Sequence, residues 1–208
     1  MRRDAVLKSR VLEGKGIGYR HGGGPWLFRG LDVAVHSGEV VGLMGPSGCG
    51  KTTLGRILAG IEKPLEGQVL LDGRPLPRRG WRPVQMVFQH PERAVNPRWR
   101  LKRTLTEGWA PPPELLERLG IHPSWLERYP HELSAGELQR ICIARSLGPQ
   151  TRFLIADEMT SMLDAIMQAQ IFHALLDIVR ERGLGLLVIS HDAHLVQRVC
   201  QRVISWEW

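Results

Sequence analysis

Gly45-Pro46-Ser47-Gly48-Cys49-Gly50-Lys51-Thr52-Thr53 sets one lysine and two threonine hydroxyls behind a glycine-rich turn. The spacing is G-x-x-x-x-G-K-[ST], in which backbone N–H groups turn inward around phosphate. In that pattern Lys51 reaches the terminal phosphates and the Thr52 hydroxyl meets magnesium. A second segment, Phe153-Leu154-Ile155-Ala156-Asp157-Glu158, is an apolar run that ends in two carboxylates. Beside a phosphate loop the two acids can divide the labour. Asp157 would hold magnesium, directly or through water, and Glu158 would take the proton of an attacking water. Taken alone, the acids also suit a solvated strand end.

Elements must position these groups. Residues 39–44 read as a buried strand and 52–59 as a helix with Leu54, Ile57 and Leu58 on one face. The helix N-terminus adds its dipole to the anion site. Earlier, 12–19 and 31–35 read as strands around the Gly22-Gly23-Gly24-Pro25 turn, an antiparallel β element. Another strand pair is expected at 67–71 and 84–88. Prolines, arginines and a helical stretch at 114–119 mark 89–133 as an inserted helical segment. A helix from Leu138, strands at 153–156 and 185–190, a helix over 163–182 and a last strand at 203–206 complete the chain. Strands alternating with helices predict a mostly parallel sheet covered on both faces, an α/β P-loop core. One domain over 1–208 is expected, with its core in 1–89 and 150–208 and a helical subdomain in 90–149.

The chain has 208 residues, enough to bury roughly 70% of its unfolded surface. Cys49, Cys142 and Cys200 are widely spaced and odd in number, which argues for a reducing compartment rather than a disulfide framework. Met1-Arg2-Arg3-Asp4 lacks the apolar stretch of a secretory signal, and no run approaches the ~18 apolar residues of a membrane span. A cytoplasmic, at most peripheral, location is expected. The net charge of +7 and pI near 9.9 suit nucleic acid, anionic lipid or an acidic partner surface alike. The arginines of the middle third, from Arg74 to Arg103, lack the aromatic interleaving of a single-strand stacking platform, so a partner-facing surface is the expectation.

Ser134-Ala135-Gly136-Glu137 is a capping box, Ser followed three residues later by Glu ahead of Leu138, Ile141 and Cys142. A Ser-capped, glycine-containing helix start is also a phosphate receptor. A second receptor in one chain suggests a second, shared nucleotide.

Leu133-Ser134-Ala135-Gly136-Glu137 resembles the signature sequence of ATP-binding cassette (ABC) proteins, and the other segments follow in that family's order. The resemblance implies an ATPase with ATP and Mg2+. By it, Tyr19 is the aromatic that stacks on adenine, and Gln89 is the glutamine that joins magnesium to the helical subdomain. Ser161-Met162-Leu163-Asp164 is then the D-loop, with Asp164 at the nucleotide, and His191 the switch histidine at the γ-phosphate. Gly45, Pro46, Ser47, Gly48, Cys49, Gly50, Lys51, Thr52 and Thr53 wrap the phosphates; Thr52, Gln89 and Asp157 hold the metal. Such cassettes close head to tail, so that Ser134, Gly136 and Glu137 serve the partner's ATP.

Phe88-Gln89-His90-Pro91, Asn96-Pro97-Arg98 and Tyr129-Pro130-His131-Glu132-Leu133 resemble the oligopeptide, dipeptide and nickel importer branch, nickel or metal-chelate subunits most. That branch implies a second, different cassette, two transmembrane permease subunits, and a solute-binding protein met only indirectly. The place would be the cytoplasmic face of the membrane, with no nucleic acid partner. The alternative is a non-transport ABC ATPase that handles nucleic acid or assists phosphonate degradation. Met159 departs from the family's usual proline, and Ala135 and Glu137 from its commoner glycine and glutamine.

Overall fold

The computed structural model describes residues 10–206. Met1 to Asp4, on which the reading of the N-terminus rests, lie outside them, as do Glu207 and Trp208. Strands β1 (Val11–Tyr19) and β2 (Phe28–His36) pair antiparallel around the glycine-rich turn, as the alternating burial of each predicts. Strands β3 (Val40–Met44), β4 (Glu66–Leu71), β5 (Arg74–Pro75) and β6 (Val84–Val87) follow, with helix α1 (Lys51–Leu58) between β3 and β4. The antiparallel sheet runs β2-β1-β4-β5.

The expected pairing of 67–71 with 84–88 is corrected: β4 pairs with β1 and β5, and β6 lies in the other sheet. Asp72 and Gly73 take φ of 53° and 74°, the left-handed backbone of a tight Asp-Gly hairpin. That hairpin folds β4 onto β5, and β6 is free to run alongside a later strand.

The second sheet is parallel, in the order β6-β7-β8-β3-β9, with β7 at Phe153–Asp157, β8 at Gly185–Ile189 and β9 at Arg202–Ser205. Every residue of β7 and β8 is buried, the mark of strands covered on both faces. Alternation divides their side chains between two cores. Phe153, Ile155, Leu187 and Ile189 join Ile57, Leu58 and Phe28 under the antiparallel sheet. Leu154, Ala156, Leu186 and Val188 face the helices on the opposite side.

Those helices are α2 (Leu101–Thr106), α3 (Pro113–Arg118), α4 (Ala135–Ser146) and α5 (Ala165–Arg182), followed by α6 (Ala193–Val199). Helix α4 begins before Leu138 because Ser134 caps it. Helix α5 begins at Ala165 rather than residue 163, because Asp164 Oδ1 accepts from the N–H groups of Ile166 and Met167 at 3.0 and 2.9 Å. Where the helical segment meets the core, the Trp81 indole lies against Gly108 and Gly148; a Cβ on either would come within 2.5 and 2.4 Å of the ring. Trp81 Nε1 donates to Thr151 Oγ1 at 3.3 Å. Among the described residues, no helix is long and apolar enough to cross a membrane.

Candidate functional site

Four neighbouring parallel strands carry the chemistry at their C-terminal ends. Gln89 follows β6, Asp157 and Glu158 end β7, His191 follows β8, and the glycine-rich loop follows β3. Register fixes their depth, because Asp157 pairs with Ile189 and Ile189 with Leu43. This edge is where open α/β sheets receive ligands.

Gly50 caps α1 with φ of 102°, a left-handed conformation that costs glycine little, and its Cβ position faces the Phe28 ring. The turn lays Lys51 back over the loop. Its ammonium, on a residue only 6% exposed, donates to the carbonyls of Gly45 at 2.8 Å and Pro46 at 2.7 Å. Cys49 Sγ is 3.9 Å away. A cation held on two carbonyls at a helix start is poised to receive an anion. Trp206, buried just past β9, donates its backbone N–H to Met44 and packs edge-on to Phe28, walling the loop from behind.

Thr52 Oγ1 donates to Asp157 Oδ1 at 3.0 Å. Asp157 is buried, and burial first of all pushes its carboxyl above the ordinary 3.8; Thr52 pulls it down, Glu158 pushes it up, and Arg56 and Lys51 lower it. Thr52 and Asp157 share a cleft of about 280 Å³ with Arg56, Gln89 and His90. A desolvated carboxylate, a hydroxyl and an amide oxygen around one cleft form an all-oxygen donor set that fits Mg2+.

The raised pKa gives a signed expectation for stability. Burial shifts Asp157 toward its protonated form in the folded chain, so its contribution is fully present below 3.8 and is lost as pH rises through the higher folded value. Asp157→Asn therefore raises the Tm of the ligand-free protein at pH 7, and the gain shrinks as pH falls toward 4. Thermal denaturation along a pH series checks this; a lower Tm at pH 7 contradicts it.

Glu158 takes φ of 45°, a conformation costly for a side-chain-bearing residue and concentrated at functional sites. Its backbone N–H donates to the Ile189 carbonyl at 2.9 Å, which locks the turn. Gln89 Nε2 donates to Glu158 Oε2 at 3.3 Å, and His191 Nδ1 lies 3.2 Å from Glu158 Oε1. Gln89 also donates to Ser161 Oγ at 3.1 Å, whose hydroxyl donates to the Glu158 carbonyl at 2.9 Å. Gln89 is thus turned to the carboxylate in this state. Ser161 opens the segment read as the D-loop, but nothing in that motif signals its bond to Gln89.

Ser134, Gly136 and Glu137 stand apart from this cluster. Glu137 N donates to Ser134 Oγ at 3.3 Å and Ser134 N to Glu137 Oε2 at 2.8 Å, the reciprocal capping box. Gly136 is buried, and a Cβ there would meet Leu163 and Met167 at 3.3 Å. The glycine therefore also lets α4 seat against the start of α5, while Ser134 remains exposed. Tyr19 ends β1; its ring stacks on Phe28 at 6.4 Å between centroids, with His21 edge-on at 5.3 Å.

Comparison with known proteins supplies the family. The model described as ABC transporter matches residues 28–161. The chain is 42% identical to the nickel import ATP-binding protein NikE of Rhodospirillum rubrum, over 83% of this chain and 69% of that protein. To NikE of Escherichia coli K12 it is 38% identical, covering 86% and 74% of the two chains. It is also 39% identical to the oligopeptide transport ATP-binding protein AppF of Bacillus subtilis, over 84% of this chain and 59% of that protein. Among solved structures, cbiO1 from Clostridium perfringens, described as part of the ABC transporter complex cbiONQ, superposes with a TM-score of 0.79 at 25% identity, covering 95% and 85%. The cassette MJ0796, as a dimer in a post-hydrolysis state bound to ADP and Pi, gives 0.79 at 25% identity, covering 94% of each chain. With its phosphate loop, Ser134-capped helix α4 and paired carboxylates following in that order, the chain belongs to the ABC transporter family, as an ATP-hydrolysing cassette.

Proposed function

We propose that this cassette powers an importer for nickel, a metal chelate or short peptides, and that it works as one of two unlike cassettes. The importer reading is supported by the identity to the nickel and oligopeptide ATP-binding proteins, and the paired reading by the Glu158 carboxylate held by Gln89 and His191 on the strand edge that bears Lys51, while Ser134 and Glu137 bond to each other away from it. Each chain then offers one phosphate loop and, elsewhere, one signature helix. Two ATP molecules between two chains complete both.

ATP lays its phosphates in the turn from Gly45 to Gly50, and Lys51 transfers its hydrogen bonds from the Gly45 and Pro46 carbonyls to phosphate oxygens. Thr52, Asp157 and Gln89 would hold Mg2+, which when bound neutralises phosphate charge. Glu158 accepts a proton from water as the water oxygen bonds to the γ-phosphorus and the bond to the β–γ bridging oxygen breaks, releasing ADP. His191 holds the γ-phosphate, Tyr19 stacks on adenine and Asp164 orders the D-loop. Ser134, Gly136 and Glu137 face the partner's triphosphate. Diphosphate lacks the group that bridges both chains, so hydrolysis reopens the pair.

Coupling runs through Gln89. Ala59, Ile61, Trp81, Arg82, Glu107 and Arg145 line a cleft of about 380 Å³ that reaches Phe88, next to Gln89. A cytoplasmic helix of a permease seated there would touch both the core and α4. On this reading the chain sits peripherally on the cytoplasmic face, against two permease subunits, and does not itself meet the solute-binding protein. Proteoliposomes carrying the whole complex test the reading. Radioactive nickel should accumulate with ATP and not with Glu158→Gln; accumulation of peptide alone assigns the peptide cargo, and transport of neither contradicts the importer. An ATP-dependent homodimer of this chain with full turnover would overturn the unlike pair.

A further inference from the structure

The phenol of Tyr19 donates to Glu62 Oε1 at 3.2 Å, a contact across 43 positions of sequence. Glu62 stands just beyond α1, and the helix end fixes its backbone. Gly60, with φ of 67°, donates its N–H to Ile57 at 2.9 Å, and Ile61 donates to Arg56 at 2.8 Å, the two bonds of a Schellman closure. Glu62 N adds a third bond, to the same Arg56 carbonyl, at 3.2 Å. The Arg82 guanidinium donates to the carbonyls of Ala59 and Gly60 and ties the closure to the strand side. A helix of eight residues is about 12 Å long. One end of α1 thus holds the phosphate loop and the other holds the acid that grips Tyr19.

We infer that Glu62 is a positioning residue for the adenine of ATP. Its carboxylate fixes the tilt of the Tyr19 ring, so that one helix sets both the phosphate seat and the plane offered to the base. The inference rests on the reading that Tyr19 stacks on adenine. Phe28 and His21 constrain the ring from other directions, and the half-buried side chain keeps part of its surface open. Burial, and after it Glu62, raises the Tyr19 pKa from 10.0, so the phenol stays a donor at neutral pH.

A double-mutant cycle on ATP and tripolyphosphate binding tests it. Glu62→Ala and Tyr19→Phe should each weaken ATP about two- to tenfold, as for one lost hydrogen bond, and the double variant no further. Glu62→Gln, whose amide oxygen still accepts, should bind ATP as the parent does. Tripolyphosphate, which has no base, should bind all four variants equally. Unchanged ATP affinity in Glu62→Ala, multiplying effects, or an equal loss for tripolyphosphate overturns the inference. Tyr19→Ala separates the two layers. If it leaves ATP affinity intact, the stacking reading falls and takes the inference with it; if it weakens ATP while Glu62→Ala does not, only the positioning role fails.

Discussion

Glu158→Gln lowers ATP turnover by about 10² to 10⁴, the span associated with loss of a positioned general base, and leaves ATP affinity close to that of the parent. The separation of the two effects is the informative part. Glutamine is isosteric: its one amide oxygen can still accept from Gln89 while its amide N–H faces His191 Nδ1, and the backbone bond to Ile189 is untouched, so the turn around φ 45° persists. What disappears is the capacity to take a proton. Steady-state hydrolysis together with ATP titration measures both quantities, and turnover that persists removes Glu158 from the chemistry.

Lys51→Ala differs in losing affinity as well: ATP binding drops by about 10- to 100-fold, as for a charge-assisted bond to phosphate, and turnover falls with it. Lys51 is buried with its ammonium on Gly45 and Pro46, so a truncated side chain loses the ligand's cation and leaves two loop carbonyls without their donor. Lys51→Arg does not rescue. The guanidinium is a planar fork rather than a point charge. Calorimetric ATP titration checks the pair, and parent-like affinity in Lys51→Ala contradicts the assignment.

The sequence disclosed those elements whose cause is local. Gly48, Gly50 and Lys51 specify the phosphate turn by backbone freedom and spacing, and the Ser134–Glu137 box is written in four consecutive residues. The continuous apolar runs of β7 and β8 announce a parallel sheet with both faces covered. Strand partnership was less legible. Successive strands usually neighbour one another, yet β4 and β6 lie in different sheets, because the Asp72-Gly73 hairpin spends the free edge of β4 on β5. Contacts across long separations left no local trace at all. Neither Glu62 nor Ser161 has a spacing that advertises Tyr19 or Gln89 as its partner; each is brought there by the packing of α1 against β1 and by the turn at Glu158. Gly136 shows a third limit. Its place in the signature segment reads as phosphate chemistry, whereas in the fold it also packs closely on Leu163 and Met167.

On the proposed reading each ATP site at the strand edge of one chain is completed by the signature helix of another. The structure of the Glu158→Gln assembly, solved with ATP and Mg2+, tests it most directly. The γ-phosphate is expected on Lys51 and beside His191, with the signature helix of a second cassette closing over it and this chain's Ser134 over the partner's ATP. An ATP enclosed wholly within one chain, or with its γ-phosphate away from Lys51, would rule out the shared site.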